Sequence, residues 1–385
     1  MKRLSFKILL ILVFITTAAF SQTKEVILKK SFKANENTIL NLNLDNVGIL
    51  FEESFDGKIH FDYSMTFGRY SKRKREMITR QSQVKVTKDK DLINLDVNNS
   101  MFLGLHHTTY LSMDSLVTSI TGYMKKEVKN GIQYKTKDSL INEIRFSEGN
   151  NLQDFLKKNK MRQRDVSDIS SLKNKKVIKK VFIIKVPKNV TIRLKALHSN
   201  ITFDYDINKP LVANTFKGFL KFKKIASEES KVFITLGVFE TEEIEGGDYT
   251  FKDVSKALIG SVSNAKIDTE TSKIQIGEIG KNVVFNDFNS KAYLHNFSNN
   301  FNEFKYKGAY SKLFFYNVET SNYSMDVYGK NTVLSMNNIK TTFNASKEAS
   351  TKILHKEAKK GKVSNGNIEL KLTNGILNIA PEKKE

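Results

Sequence analysis

The chain has 385 residues, a formal net charge of +22, three Pro, 19 Gly, 27 Phe, and neither Cys nor Trp. That length accommodates two or three domains and 39% hydrophobic residues supply a core, so collagen-like, low-complexity and disordered classes are excluded. Without cysteine there is no disulfide framework, no thiolate metal site and no cysteine nucleophile.

The first residues change the meaning of the charge. Lys2, Arg3 and Lys7 precede an apolar run, Ile8 to Ile15, and a segment ending Ala19-Phe20-Ser21-Gln22. This order predicts a secretory signal peptide over residues 1–21, because the apolar run is too short to span a bilayer. An uncleaved N-terminal anchor is the competing reading. Cleavage before Gln22 leaves a mature charge of +19. Export to the periplasm or cell surface removes cytoplasmic nucleic acid as a partner. Anionic envelope lipid, acidic glycan, cell-wall polymer, extracellular DNA or another envelope protein remain. A solvated surface that protects strand edges explains the charge equally well.

Period-2 patterning follows at once. Leu40, Leu42 and Leu44 alternate with Asn41 and Asn43, Asp45-Asn46-Val47-Gly48 reads as a turn, and Ile49 to Phe51 as a return strand. Asp56-Gly57 reads as the next turn, before a strand with Ile59, Phe61 and Tyr63 on one side. Residues 22–100 are therefore an N-terminal β region. Lys72-Arg73-Lys74-Arg75 is read as a loop between its strands.

Residues 101–180 form an insert, predicted as partly helical (151–164) or disordered, with ten basic and two acidic residues between Lys157 and Lys180. Strand patterning resumes over 181–385. Five Ser-Lys markers, at Ser230, Ser255, Ser272, Ser290 and Ser311, are spaced 25, 17, 18 and 21 residues apart, and each precedes a short β segment. A length near twenty residues suits one coil of a β-solenoid. Asn365-Gly366 and Asn374-Gly375 give turn chemistry before the last two strands.

Three segments carry a resemblance: Asn43-Leu44-Asp45-Asn46-Val47-Gly48-Ile49; Val186-Pro187-Lys188-Asn189-Val190-Thr191-Ile192 with Ser199-Asn200-Ile201-Thr202; and Gly366 to Gly375. They resemble the bacterial adhesin family of right-handed β-solenoids labelled DUF4097, and the related adhesin-head families. The Phe20-Ser21-Gln22 junction is similar to exported proteins of the Bacteroidetes group. The resemblance implies an all-β, right-handed solenoid-like fold with an adhesive or scaffolding role, no catalytic residues and no cofactor. In several repeats Asn, Lys or Phe replaces the turn Gly of that pattern, and the 101–180 insert departs from it too.

A search for chemistry finds little. His106-His107 is the one close histidine pair, and neighbours on a strand face opposite ways. Glu240, Glu242, Glu243, Glu245 and Asp248 cluster around Gly246-Gly247 without calcium-loop spacing, and read as a solvated turn with an outward stripe of Glu240 and Glu242. Asp204 and Asp206, near Lys221 and Lys223, are the carboxylates a polysaccharide-active enzyme would need. The candidate anion-binding residues are Lys72, Arg73, Lys74 and Arg75 in the first region, with Lys173, Lys175, Lys176, Lys179 and Lys180 at the end of the insert. The expectation is a non-enzymatic adhesin-like or envelope-scaffold protein without cofactor or metal, able to self-associate through solenoid ends. A periplasmic regulatory partner of a membrane protein and a polysaccharide-active β-helix enzyme are the alternatives.

Overall fold

The computed structural model describes residues 23–68, 70–99, 178–316, 322–336, 339–343, 350–358 and 366–380. The predicted signal peptide, the insert up to residue 177 with its predicted helix, and the last five residues lie outside the described residues. Those described form 25 strands and one helix, so they are mostly β, as the alternation predicts.

They divide into two compact units. Within the bounds Met1–Ile27, Ser64–Ser82 and Ser100–Val181, the described residues of the smaller unit are 23–27, 64–68, 70–82 and 178–181. This unit contains helix α1 (Lys72–Arg80), which corrects the reading of Lys72 to Arg75 as a loop. Lys, Arg, Glu and Met are all good helix formers, and Ile78 supplies a buried anchor. A single apolar residue buried over nine positions leaves almost no period to detect in the sequence.

The larger unit comprises Leu28–Tyr63, Gln83–Asn99 and Phe182–Glu385. Its strands fall into two long parallel ladders. In the first, Leu92–Asn99, Ile39–Asp45, Thr191–Leu197, Leu211–Phe216 and Lys231–Thr235 are neighbours in that order. The second halves of Val238–Lys252 and Lys256–Glu270 come next, followed by Val283–Phe288 and Glu303–Ala309. The second ladder holds Gly48–Glu53, Asn200–Ile207, Phe219–Ile225, the first halves of the same two long strands, Lys273–Ile279, Lys291–Phe297 and Lys312–Tyr316. The chain passes from one ladder to the other and back. Val212 pairs with Lys231, Lys231 with Asp248, Asp248 with Lys266, Lys266 with Val284 and Val284 with Lys305, advancing 19, 17, 18, 18 and 21 residues.

The passage between ladders uses a left-handed residue. Asn46, His198, Lys217, Leu236, Asp253, Thr271, Asn289, Tyr310 and Asn374 all have φ between 48° and 57°. Each is held by the next rung: the His198 N–H donates to Phe216 O at 2.9 Å, that of Lys217 to Thr235 O at 3.0 Å, and that of Leu236 to Lys252 O at 3.0 Å. These bonds offset the steric cost of positive φ in side chains as large as Leu and Tyr. The turn at Asp45 to Gly48 and that at Asn374-Gly375 are such corners. In each, the strand before lies in the first ladder and the strand after in the second, where the sequence suggested a hairpin return for the former. Gly246 and Gly247 serve likewise, with φ of 95° and 93° inside the continuous strand Val238–Lys252. A Cβ at Gly247 would lie 2.7 Å from Ser230 O.

Serines stack at the corners. Ser272, Ser290 and Ser311 are buried, and their hydroxyls donate to Glu270 O, Phe288 O and Ala309 O. Ser272 N–H donates in turn to Ser290 Oγ at 3.0 Å, and Ser290 N–H to Ser311 Oγ at 3.5 Å. Four of the five Ser-Lys markers, from Ser255 to Ser311, open strands of the second ladder; Ser230-Lys231 opens one of the first. Inward residues form the core. Phe51, Phe203 and Phe222 stack at 4.3 and 4.8 Å between ring centroids, tilted by 13° and 9°. Each fully buried aromatic stabilises the unit by roughly 1.5–3 kcal/mol.

The ends depart from chain order. The last strands, Asn367–Thr373 and Ile376–Ala380, lie between Glu303–Tyr316 on one side and Ser324–Met336 on the other. Beyond these, Thr351–Lys356 and Ile339–Phe343 add antiparallel strands to the first and second ladder respectively. Near the N-terminus, Ile39–Glu53 lies between Leu92–Asn99 with residues 183–186 and the strands from Thr191 to Ile207.

Candidate functional site

The outer faces of both ladders carry ion pairs, and the first ladder also holds a like-charge pair, Lys307 opposite Lys371, whose second member bonds Glu369. On the first, opposite charges meet: Lys252 bonds Glu270 at 3.0 Å, Lys266 bonds Asp268 at 2.8 Å, and the Asn286 amide donates to Asp268 at 2.7 Å. A broad depression of about 1000 Å³ there is lined by Lys252, Asp268, Glu270 and Asn286 and by Phe233, Phe288 and Lys307.

On the second ladder, Lys273 pairs directly with Lys291, and Lys291 with Lys312. All three are exposed and point outward from successive rungs about 4.8 Å apart. Among the described residues none of them has a carboxylate partner; Lys273 lies over the Tyr293 ring, 5.6 Å from its centroid. Lys256 extends the row by one rung, its neighbour Ala257 pairing with Ile274, and it bonds Glu240 at 3.4 Å. Like charges directly opposite on a sheet are destabilising by up to roughly 1 kcal/mol per pair. Among the described residues no carboxylate neutralises this row at Lys273, Lys291 or Lys312.

Aromatic side chains stand beside the row. Tyr293 and Phe314 stack at 4.6 Å and 4°, and His295 and Tyr316 at 5.1 Å and 19°. Next to them, a groove of about 390 Å³ runs over Gly260 and Gly277, bounded by Glu240, Glu242, Gln275 and His295. Gln275 Nε2 and His295 Nε2 are 3.1 Å apart.

The predicted anion-binding residues fall in other places. Lys72, Arg73 and Lys74 are exposed in the first turn of α1, where the positive end of the helix dipole opposes them. Arg75 is engaged, with Nε 3.2 Å from Glu25 and Nη1 donating to Tyr70 O at 2.9 Å. Lys173, Lys175 and Lys176 lie outside the described residues. Lys179 is exposed on strand Ile178–Val186, whereas burial lowers the Lys180 ammonium to about 8. The row Lys273, Lys291 and Lys312 was missed as a binding feature, although its residues are the second halves of Ser-Lys markers. The signal was present in the sequence, but only the strand register turns a spacing into a line of charge.

Of the two carboxylates considered for enzymology, Asp204 and Asp206, the second has a lysine nearby. Asp206 lies 3.8 Å from Lys223, while Lys224 bridges Glu243 at 2.9 Å and Glu245 at 2.8 Å. Glu245 and Glu243 raise the Lys224 pKa through these hydrogen bonds. Among the described residues no three His, Asp or Glu side chains converge as a metal site. No helix among them is long and apolar enough to cross a membrane.

No family model matches the chain, and no curated protein matches it. A crystal structure described as a putative cell adhesion protein from Clostridium sporogenes aligns with 94% of this chain and 100% of its own. The identity is 12% and the TM-score 0.18, too low for the alignment to bear on the fold or the site. The resemblance to DUF4097 solenoids rests on the three sequence segments alone.

Proposed function

We propose that the protein is an exported, non-enzymatic adhesin-like β-solenoid that binds anionic polymers or surfaces of the cell envelope through the outer face of its second ladder. In this reading each advance of 17–21 residues is one coil, and the two ladders are two faces of a stack. The observation that carries it is the row Lys273, Lys291 and Lys312, which has no carboxylate partner among the described residues. A rigid line of cations repeating at the strand spacing meets a polyanion without ordering new backbone, so little conformational entropy opposes binding. On the first ladder Lys252 is paired with Glu270 across a rung and Lys266 with Asp268 along one strand, which leaves less free charge there for an anion.

Self-association through the stack ends has a narrower place in this reading. The strands Ile339–Phe343 and Thr351–Lys356 are short and carry Lys340, Lys352 and Lys356, features that oppose edge-to-edge pairing. Retention of the mature chain on acidic polysaccharide beads and on vesicles of anionic lipid tests the proposal. Release by salt is expected, with log affinity falling linearly against log salt. Binding that is absent, or indifferent to salt, contradicts it.

A further inference from the structure

The groove beside the lysine row has the build of a sugar site, and we infer that it seats one uronic acid ring of an acidic polysaccharide. The inference rests on the polyanion reading above and adds a substrate class to it.

The strand register sets the geometry. Thr241 pairs with Ile259 and Glu243 with Ser261, which puts Glu242 beside Gly260. Ile259 pairs with Ile276 and Ser261 with Glu278, which puts Gly260 beside Gly277. Ile276 pairs with Leu294 and Glu278 with Asn296, which puts Gly277 beside His295. The outward row therefore reads carboxylate, bare backbone, bare backbone, imidazole. Three strand spacings separate Glu242 from His295, about 14 Å. The space between is the groove of about 390 Å³.

Each boundary has a chemical use. His295, backed by Tyr316 in a parallel stack, forms a flat wall suited to the C–H face of a pyranose. Gln275, in contact with His295, offers an amide, and Glu240 and Glu242 offer carboxylate acceptors for ring hydroxyls. A sugar combines a flat apolar face with an equatorial belt of hydroxyls, which this lining matches. Lys273 lies on the same strand as Gln275 and Gly277, facing outward with them, and receives the carboxylate of the sugar. Ion pairing of Lys256 to Glu240 limits the repulsion between the groove acids and that carboxylate.

The bare floor is set by the backbone. A Cβ at Gly260 would lie 2.3 Å from Glu242 O, and one at Gly277 2.6 Å from Gly260 O. Strand proximity thus demands glycine at both positions, and an open slot follows. For the same reason the floor is a poor place for test substitutions, and the walls are the right one.

The experiment compares short oligomers of galacturonate and of mannuronate–guluronate with polyglutamate of matched charge, on the full mature chain. The parent is expected to bind at least one oligosaccharide more tightly than polyglutamate. The double variant Glu242→Ala, Gln275→Ala and the single variant His295→Ala should each lose about tenfold or more for that sugar, equivalent to about 1.4 kcal/mol, with polyglutamate affinity unchanged. Parent binding that never exceeds polyglutamate, or variants that bind sugar like the parent, overturn the slot and leave the lysine row standing. Variants that weaken both probes equally also overturn it, since the effect then belongs to the row or the fold. A parent that binds neither probe overturns the polyanion reading itself.

Discussion

Tyr306 donates its phenolic hydrogen bond to Asp287 Oδ2 at 2.8 Å in the interior of the first ladder, and Thr269 donates to Oδ1 of the same carboxylate at 2.7 Å. Asp287 follows Phe285 on the inward face of its strand, where an acid is expensive unless it is bonded. The next rung makes room for the arrangement: Gly308 pairs with Asp287, and a Cβ there would lie 2.6 Å from the Tyr306 ring. Tyr306→Phe is therefore expected to destabilise the unit by about 2 kcal/mol, because a hydrogen bond to a buried charged group is lost. Tyr205 makes the opposite case: its hydroxyl is buried with no partner among the described residues. Tyr205→Phe should leave stability unchanged or raise it by about 1 kcal/mol. Paired urea titrations check both, and equal effects of the two substitutions would refute the assignment.

The same tyrosines predict an alkaline limit. Burial raises the pKa of Tyr205, Tyr249 and Tyr306 above the ordinary value near 10, with the charges of Glu53, Asp248 and Asp287 adding to the shift in turn. A folded-state pKa above the unfolded value means that the folded chain keeps protons the unfolded chain releases. Stability contributed this way is fully present below pH 10 and is lost as pH rises beyond it, by up to about 1.4 kcal/mol per pH unit for each group. Phenolate absorbance followed against pH should show these tyrosines silent until the unfolding transition. Their smooth titration in a folded protein would contradict the burial.

At acid pH a different group responds. Hydrogen bonds from His60 and Ser54 lower the Asp56 carboxyl from 3.8 to about 2. The sign here favours the folded state above pH 3.8, and the contribution disappears as pH falls towards 2. Asp56→Asn should flatten the acid limb of the stability profile by lowering stability at neutral pH while leaving it nearly unchanged near pH 2, and the slope of the alkaline limb should stay the same. An unchanged acid limb would remove Asp56 from the account.

The position of the last strands makes the C-terminus essential to the stack. Ile368, Leu370, Leu372, Leu377 and Ile379 are buried between Glu303–Tyr316 and Ser324–Met336. Ending the chain before Gly366 empties one rung from the interior of both ladders. Five buried apolar side chains are worth on the order of 10 kcal/mol, comparable with the whole stability of a domain. The truncated chain should lose cooperative unfolding by calorimetry. A melting profile like that of the full chain would mean that Ser324–Met336 closes directly onto Glu303–Tyr316.

The alternation at Leu40, Leu42 and Leu44, the five Ser-Lys markers and the Asn-Gly corner at Asn374 were legible in the sequence, because inward apolar residues and tight corners impose local patterns. The ladder that joins Ile39–Asp45 to Thr191–Leu197 was not legible, since no local signal encodes a partner about 150 residues away. Helix α1 escaped notice because its sequence is almost wholly polar. The groove could not be foreseen from Gly260 and Gly277 alone. Only the offset of 17 residues between Ile259 and Ile276 brings those two glycines side by side.

In the proposed reading the charge of +22 acts through the row in which Lys291 stands between Lys273 and Lys312. Replacing Lys291 by Glu converts like-charge neighbours into two ion pairs across the rungs. It should raise the melting temperature while weakening binding, since cross-strand pairs of opposite charge contribute roughly 0.2–1 kcal/mol each. The most direct measurement is the affinity of parent and Lys291→Glu for an acidic polysaccharide, taken as a function of salt. The account predicts weaker binding and a shallower slope of log affinity against log salt for the variant, with a melting temperature at or above that of the parent. Equal affinity and equal slope in a folded variant would contradict it.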